Sequence, residues 1–128
     1  MDVAGRRLER GPFGKSGEEI AASHLIAEGY KILARNYRFR RYEIDIVARK
    51  EDTLVFVEVK TRSSQRFGHP VLSVTVPKTR RILEAASAYL EREKLFQLQV
   101  RFDVITLLFI KSAPPRIEHI ENAFQMGR

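Results

Sequence analysis

An α/β domain built on a mixed sheet with helices packed against it is the fold class this sequence predicts. Two segments of helical spacing alternate with runs rich in β-branched and aromatic residues, in the order α-β-β-β-α-β. The first three strand-like runs are joined by turns of only a few residues, which favours antiparallel hairpins. With 128 residues and 44% apolar content, the chain has the size and composition of one domain with a packed core.

Residues 1–12 are polar and glycine-containing and read as a mobile leading segment, before a domain over 13–122 and a tail at 123–128. Ile20, Ala21, Ala22, Leu25, Ile26 and Ala27 give the stretch 15–27 a helical pattern, which Gly29 ends. YKILARNYRF (30–39) and EIDIVAR (43–49) then read as strands joined by a short basic turn. KEDT (50–53) turns the chain into LVFVEVKTR (54–62), and SSQRFGHP (63–70) has the composition of a loop. Pro77 suits the first turn of a second helix. Ile82, Leu83, Ala85, Ala86, Tyr89 and Leu90 supply its apolar face, and it ends near Lys94. VRFDVITLLFI (100–110) is a long strand, and 116–120 adds a short edge strand after Pro114 and Pro115.

Lysine and arginine outnumber the acids by 23 to 16, a net charge of +7 that favours a polyanionic partner, nucleic acid first among them. The absence of cysteine removes disulfides, thiol nucleophiles and cysteine metal sites, and suits a reducing, cytoplasmic setting. The opening MDVAGRRLERG has no apolar stretch of the kind a signal peptide needs. No segment approaches the roughly 20 apolar residues of a membrane span.

LVFVEVKTR is apolar at its start and carries Glu58 and Lys60 at its end. Side chains two apart on a strand share a face and lie roughly 7 Å apart. Leu54, Phe56, Glu58 and Lys60 therefore face one way, and Val55, Val57 and Val59 the other. In the preceding strand Glu43, Asp45 and Val47 are set against Ile44, Ile46 and Ala48. Asp45 and Glu58 stand about evenly around the KEDT turn, so hairpin pairing brings them together. Glu18 lies on the helix stripe of Ala21, Ala22, Leu25 and Ile26, whereas Glu19 lies on a more marginal face. A carboxylate on a buried stripe needs a partner. Glu58 and Lys60 alone describe an ordinary ion pair at a strand end. Asp45 at hairpin distance and an inward Glu18 turn the reading towards chemistry. Gathered acids need a cation, and hard oxygen donors suit Mg2+ or Mn2+. His24, His69 and His119 lack ligand spacing and read as surface or loop residues. Glu43 reads as a solvated neighbour.

Arg35, Arg38, Arg40 and Arg41 alternate with Tyr37, Phe39 and Tyr42 in the first hairpin. Phosphate contacts and base stacking would use such a pattern, and so would half-buried aromatics beneath a solvated arginine face. Lys78, Arg80 and Arg81 crowd the start of the second helix, where the macrodipole disfavours cations. Lys60, Arg62 and Arg66 extend a basic arc away from the acids.

In order and spacing, GKSGEEIAASHLIAEGYKILARNYR, EIDIVA, LVFVEVKTR, RFG, PKTRRI and RFDVI resemble the YraN-like family. That family is placed in the PD-(D/E)XK, restriction-endonuclease-like nuclease superfamily, related to the archaeal Holliday-junction resolvases. The resemblance implies a restriction-endonuclease-like mixed central sheet and a metal-dependent DNA endonuclease, structure-specific or resolvase-like in character. It puts the metal-binding acids on Asp45 and Glu58, the lysine on Lys60 and the resolvase helix acid on Glu18. Tyr42 stands where the family usually has glycine. Two other readings compete: a nucleic-acid-binding protein, for DNA or RNA, that keeps the fold without the chemistry, and a homodimer formed through VRFDVITLLFI.

Overall fold

The computed structural model of the chain describes residues 16–63 and 76–123, without the side chains of 76–78. The expected leading segment, most of SSQRFGHP with Arg66 and His69, the Lys78 side chain and all of the expected tail but Ala123 lie outside the described residues. Within them the expected elements form. They are α1 (Gly17–Ala27), β1 (Lys31–Phe39), β2 (Tyr42–Lys50), β3 (Thr53–Arg62), α2 (Val76–Glu93), β4 (Gln99–Leu108) and β5 (Arg116–Ile120).

Ser16 caps α1 reciprocally. Its hydroxyl accepts the Glu19 N–H at 3.2 Å, and the Glu19 carboxylate accepts the Ser16 N–H at 3.0 Å. Glu19 is thus a capping residue, which its marginal position on the helix face did not reveal. At the other end Gly29 takes φ 97°, and the Tyr30 N–H returns to the Leu25 carbonyl at 2.9 Å. The buried stripe is narrower than its sequence pattern. Gly17, Ala21, Ala22 and Leu25 are covered, whereas Ile26 is 60% exposed.

Five strands make one sheet in the order β1-β2-β3-β4-β5. The two short turns give antiparallel β1–β2 and β2–β3 pairs. β3 and β4 run parallel, which requires a long crossover, and α2 lies in that connection. β5 closes the far edge antiparallel to β4. The sheet is therefore mixed and flanked by two helices. Leu25, Ile46, Val57 and Ile105 build the core under α1, and Val47, Phe56, Tyr89 and Phe102 build the core under α2. β4 lies inside the sheet, with the run from Phe102 to Leu107 buried. The chain leaves that strand at Leu108, short of the expected Ile110, which is exposed.

Among the described residues one charged side chain, Asp103, lies fully in the core. Asp103 accepts both Nε and Nη2 of Arg101 at 2.9 Å, His119 Nε2 at 2.7 Å and the Asn122 N–H at 2.9 Å. Arg101 also bonds the Tyr30 hydroxyl. Burial pushes the Asp103 carboxyl up, but the bonds from His119, Arg101 and Asn122 outweigh it and hold the group below its ordinary value. The expectation that His119 is a surface or loop residue is therefore corrected. Its side chain is only 12% exposed, and it ties β5 to β4.

Gly17 sets how closely α1 approaches the sheet, since an added Cβ would overlap Thr61 Cγ2 and stand 3.2 Å from Leu107 Cδ1. Gly17→Ala is expected to destabilise the protein by about 1–3 kcal/mol in urea denaturation, although alanine is the better helix former. Asp103→Ala is expected to cost about 3–5 kcal/mol in the same measurement, because Arg101 and His119 lose their shared partner. The depressed value of Asp103 adds stability above its unfolded value of about 4, and acid titration removes that share as pH falls through the folded value.

Candidate active site

The site forms where strand pairing stops. The β2–β3 ladder runs from Lys50–Thr53 to Ile46–Val57 and goes no further. Beyond it the Val59 N–H donates to Asp45 Oδ2 at 2.8 Å, so a side chain takes over where a backbone acceptor would continue the sheet. The neighbouring β1–β2 pairing also skips a step, passing from Arg35–Ile46 to Tyr37–Ile44. Asn36, opposite Asp45 in that count, adopts φ 53°, a conformation asparagine tolerates better than most residues.

The distortion changes the facing of β2. Strict alternation would put Ile44 with Ile46 and Ala48 against Glu43, Asp45 and Val47. Instead Ile44 joins Val47 in the core under α2, while Ile46 and Ala48 join the core under α1. Asp45 sits at the switch between the two layers. β3 keeps its alternation, with Leu54 and Phe56 under α2 and Val55 and Val57 under α1.

Asp45 lies within the electrostatic reach of Glu58 from β3 and Glu18 from α1, so the structure gathers the acids of all three segments. Burial pushes the Asp45 carboxyl up to about 8, with the Glu58 charge the next cause; the Val59 N–H opposes them, and Glu18 adds to the rise. Glu58 accepts the Tyr42 hydroxyl on Oε1 at 3.0 Å and holds Lys60 Nζ 3.6 Å from Oε2, with side chains 15% and 20% exposed for Glu58 and Lys60. Burial raises the Tyr42 hydroxyl, and the charge and hydrogen bond of Glu58 raise it further. Glu18 Oε1 accepts the Asn36 side-chain amide at 3.0 Å. Among the described residues no three acids or histidines close into a cation cage. Asp45 and Glu58 form the centre, with Glu18 behind Asp45.

The other nominated residues divide. Glu43 is bound to Arg38 at 3.3 Å, so this arginine of the basic set has a carboxylate of its own. Arg40, Arg41, Arg80 and Arg81 are exposed together near the β1–β2 turn and α2, and Arg62 ends β3 partly covered. Tyr42 and Asn36 were not foreseen as site residues. A signal existed for each, because asparagine inside a strand is unfavourable and Tyr42 breaks a glycine pattern.

This is an α/β protein with an acid-rich notch at the end of its central strands. The chain belongs to the uncharacterised protein family UPF0102, whose family model matches residues 17–107. It is 49% identical over 114 residues to a UPF0102 protein of Geobacter sulfurreducens, covering 89% of each chain. A UPF0102 protein of Phocaeicola vulgatus is 49% identical over 116 residues, covering 91% of this chain and 94% of that one. One from Clostridioides difficile is 44% identical over 116 residues, covering 91% of this chain and 96% of its own.

Because the folded Asp45 holds its proton more tightly than the ordinary value of 3.8, the unfolded chain releases that proton first. Stability contributed at this position therefore falls as pH rises from about 4 to about 8. Asp45→Asn keeps an acceptor for Val59 and removes the titration. In chelator, its melting temperature relative to the unchanged protein is expected to climb by several degrees between pH 5 and pH 9. A gap that stays constant with pH would disprove this assignment.

Proposed function

We propose that the protein is a metal-dependent phosphodiester hydrolase of the PD-(D/E)XK, restriction-endonuclease-like kind, acting on DNA as a structure-specific or resolvase-like endonuclease. The observation that carries this reading is the pairing of Asp45 with Glu58 at the end of the ladder, with Lys60 alongside. Burying like-charged carboxylates against one another is costly, and a protein that only bound phosphate would gain nothing from it.

These residues fit a hard divalent cation in their chemistry, being all-oxygen donors with an excess of negative charge in a half-buried place. Asp45 and Glu58 would hold Mg2+ or Mn2+, with Glu18 contributing through its contact with Asp45. When bound, the ion supplies charge neutralisation at the scissile phosphate and a more acidic water. Lys60 places an ammonium beside Glu58, where it orients the attacking water and assists the loss of its proton. Tyr42 fixes one Glu58 oxygen by donating to it, and Asn36 does the same for Glu18. A non-catalytic nucleic-acid binder is the second reading, favoured by the exposed arginines around the β1–β2 turn.

Incubating the protein with Mg2+ or Mn2+ and a panel of linear, nicked, flapped and branched DNA decides between them. Cleavage is expected for at least one structure, lost in chelator and reduced at least 100-fold in Asp45→Ala and Glu58→Ala proteins that keep their circular-dichroism spectra. Tyr42→Phe is expected to retain cleavage at a rate lowered several-fold. Intact DNA throughout the panel would leave the binding reading standing alone.

A further inference from the structure

The β1–β2 turn and α2 enclose a groove that is separate from the acid notch and touches it through a single residue. Two adjoining cavities of about 520 and 280 Å3 share Phe39, Arg40 and Glu84 in their walls. Arg80 lines the larger, and Arg41, Arg81 and Tyr42 line the smaller. Tyr42 is the link, because its hydroxyl donates to Glu58 at 3.0 Å.

The charge in this groove is unbalanced. Arg40, Arg41, Arg80 and Arg81 are exposed, and among the described residues none of them is engaged in an ion pair. Glu84 and Glu91 are the acids in the walls, which leaves an excess of two positive charges. Arg38, by contrast, is neutralised by Glu43. The groove also carries an aromatic–guanidinium contact. The Arg40 guanidinium lies 5.1 Å from the centre of the Phe39 ring, and the ring is itself anchored against the core under α2.

Free guanidinium groups suit a phosphate backbone, and a stacked aromatic–guanidinium pair suits the face of an unpaired base. A duplex would use only the first of these, since its bases already stack on each other. Glu84 can accept a hydrogen bond from an exocyclic base amine, which only an exposed base edge offers. An acidic peptide would answer the charge and leave the stacking platform idle. We propose that the groove between the β1–β2 turn and α2 seats a single-stranded stretch of nucleic acid, with a base stacked on Arg40 and Phe39. The strand leads past Tyr42 towards Glu58. Only this direction rests on the hydrolase reading; binding in the groove does not.

Fluorescence anisotropy in chelator tests binding without any cleavage, using a labelled oligo-dT strand and a blunt duplex of equal length. The single strand is expected to bind at least fivefold more tightly than the duplex at one fixed salt concentration. The double variant Arg40→Gln/Arg80→Gln is expected to weaken single-strand binding about tenfold or more and to lower the slope of log affinity against log salt by about 1.4. Lys111→Gln, an exposed charge away from the groove, controls for net charge. Phe39→Leu is expected to lessen the preference for single strands; if that variant misfolds, the surface arginines still decide. Equal or tighter duplex binding, an unaffected double variant, or displacement by polyglutamate as effective as by unlabelled oligo-dT would overturn the proposal. Strand binding with no cleavage anywhere in the DNA panel would refute the hydrolase reading and leave the groove assignment intact. Cleavage that survives the double variant unchanged, with no binding defect, would do the reverse.

Discussion

A single hydrogen bond, from the Val59 N–H to Asp45 Oδ2, marks the point on which the rest of the structure turns. Up to Ile46–Val57 β2 and β3 are held by backbone pairing, and past that point a carboxylate accepts the Val59 amide instead. The exchange opens the end of the sheet without leaving Val59 unsatisfied, which would itself be costly in a half-buried place. It also fixes the Asp45 side chain beside β3 and Glu58. Asn36 accommodates the same opening on the other side of β2, with its left-handed backbone and its bond to Glu18.

Asp103 and Asp45 illustrate opposite solutions to one problem. Asp103 is surrounded by donors, two of them on Arg101, one on His119 and one on a backbone amide, so its charge is better solvated inside the fold than out. Asp45 has one backbone donor and carboxylates for company, so it holds its proton into mildly alkaline conditions. A fully satisfied acid fastens strands together, as Asp103 does for β4 and β5. An under-compensated one takes up a proton, or a cation in its place.

The elements and their order were legible because they rest on local signals. Helical spacing, short polar turns and alternating strands need no long-range information, and the boundaries fall within a few residues of those read from the pattern. The meeting of Asp45 with Glu58 was legible for the same reason, since hairpin symmetry about KEDT sets it. The face switch at Asp45 was not, because strict alternation gives no sign of it; it accompanies a positive φ at Asn36 on the neighbouring strand. The Asp103 cluster was also out of reach. His119 finds Asp103 only through the β4–β5 pairing, and nothing near either residue in the chain announces the other. Ile26 shows the converse error, an apolar residue at helical spacing that the fold leaves exposed.

The β1 and β5 edges carry a consequence for how the protein behaves in crowded solution. β5 is only five residues long and presents Arg116 and Glu118 to water, while β1 is interrupted near Ile32 and again bent at Asn36. Short, charged or kinked borders are poor templates for a further strand. β4, which carries most of VRFDVITLLFI, lies between β3 and β5, with the end of that run at Ile110 exposed. A second copy approaching either border therefore meets a short, charged or irregular strand before it meets β4.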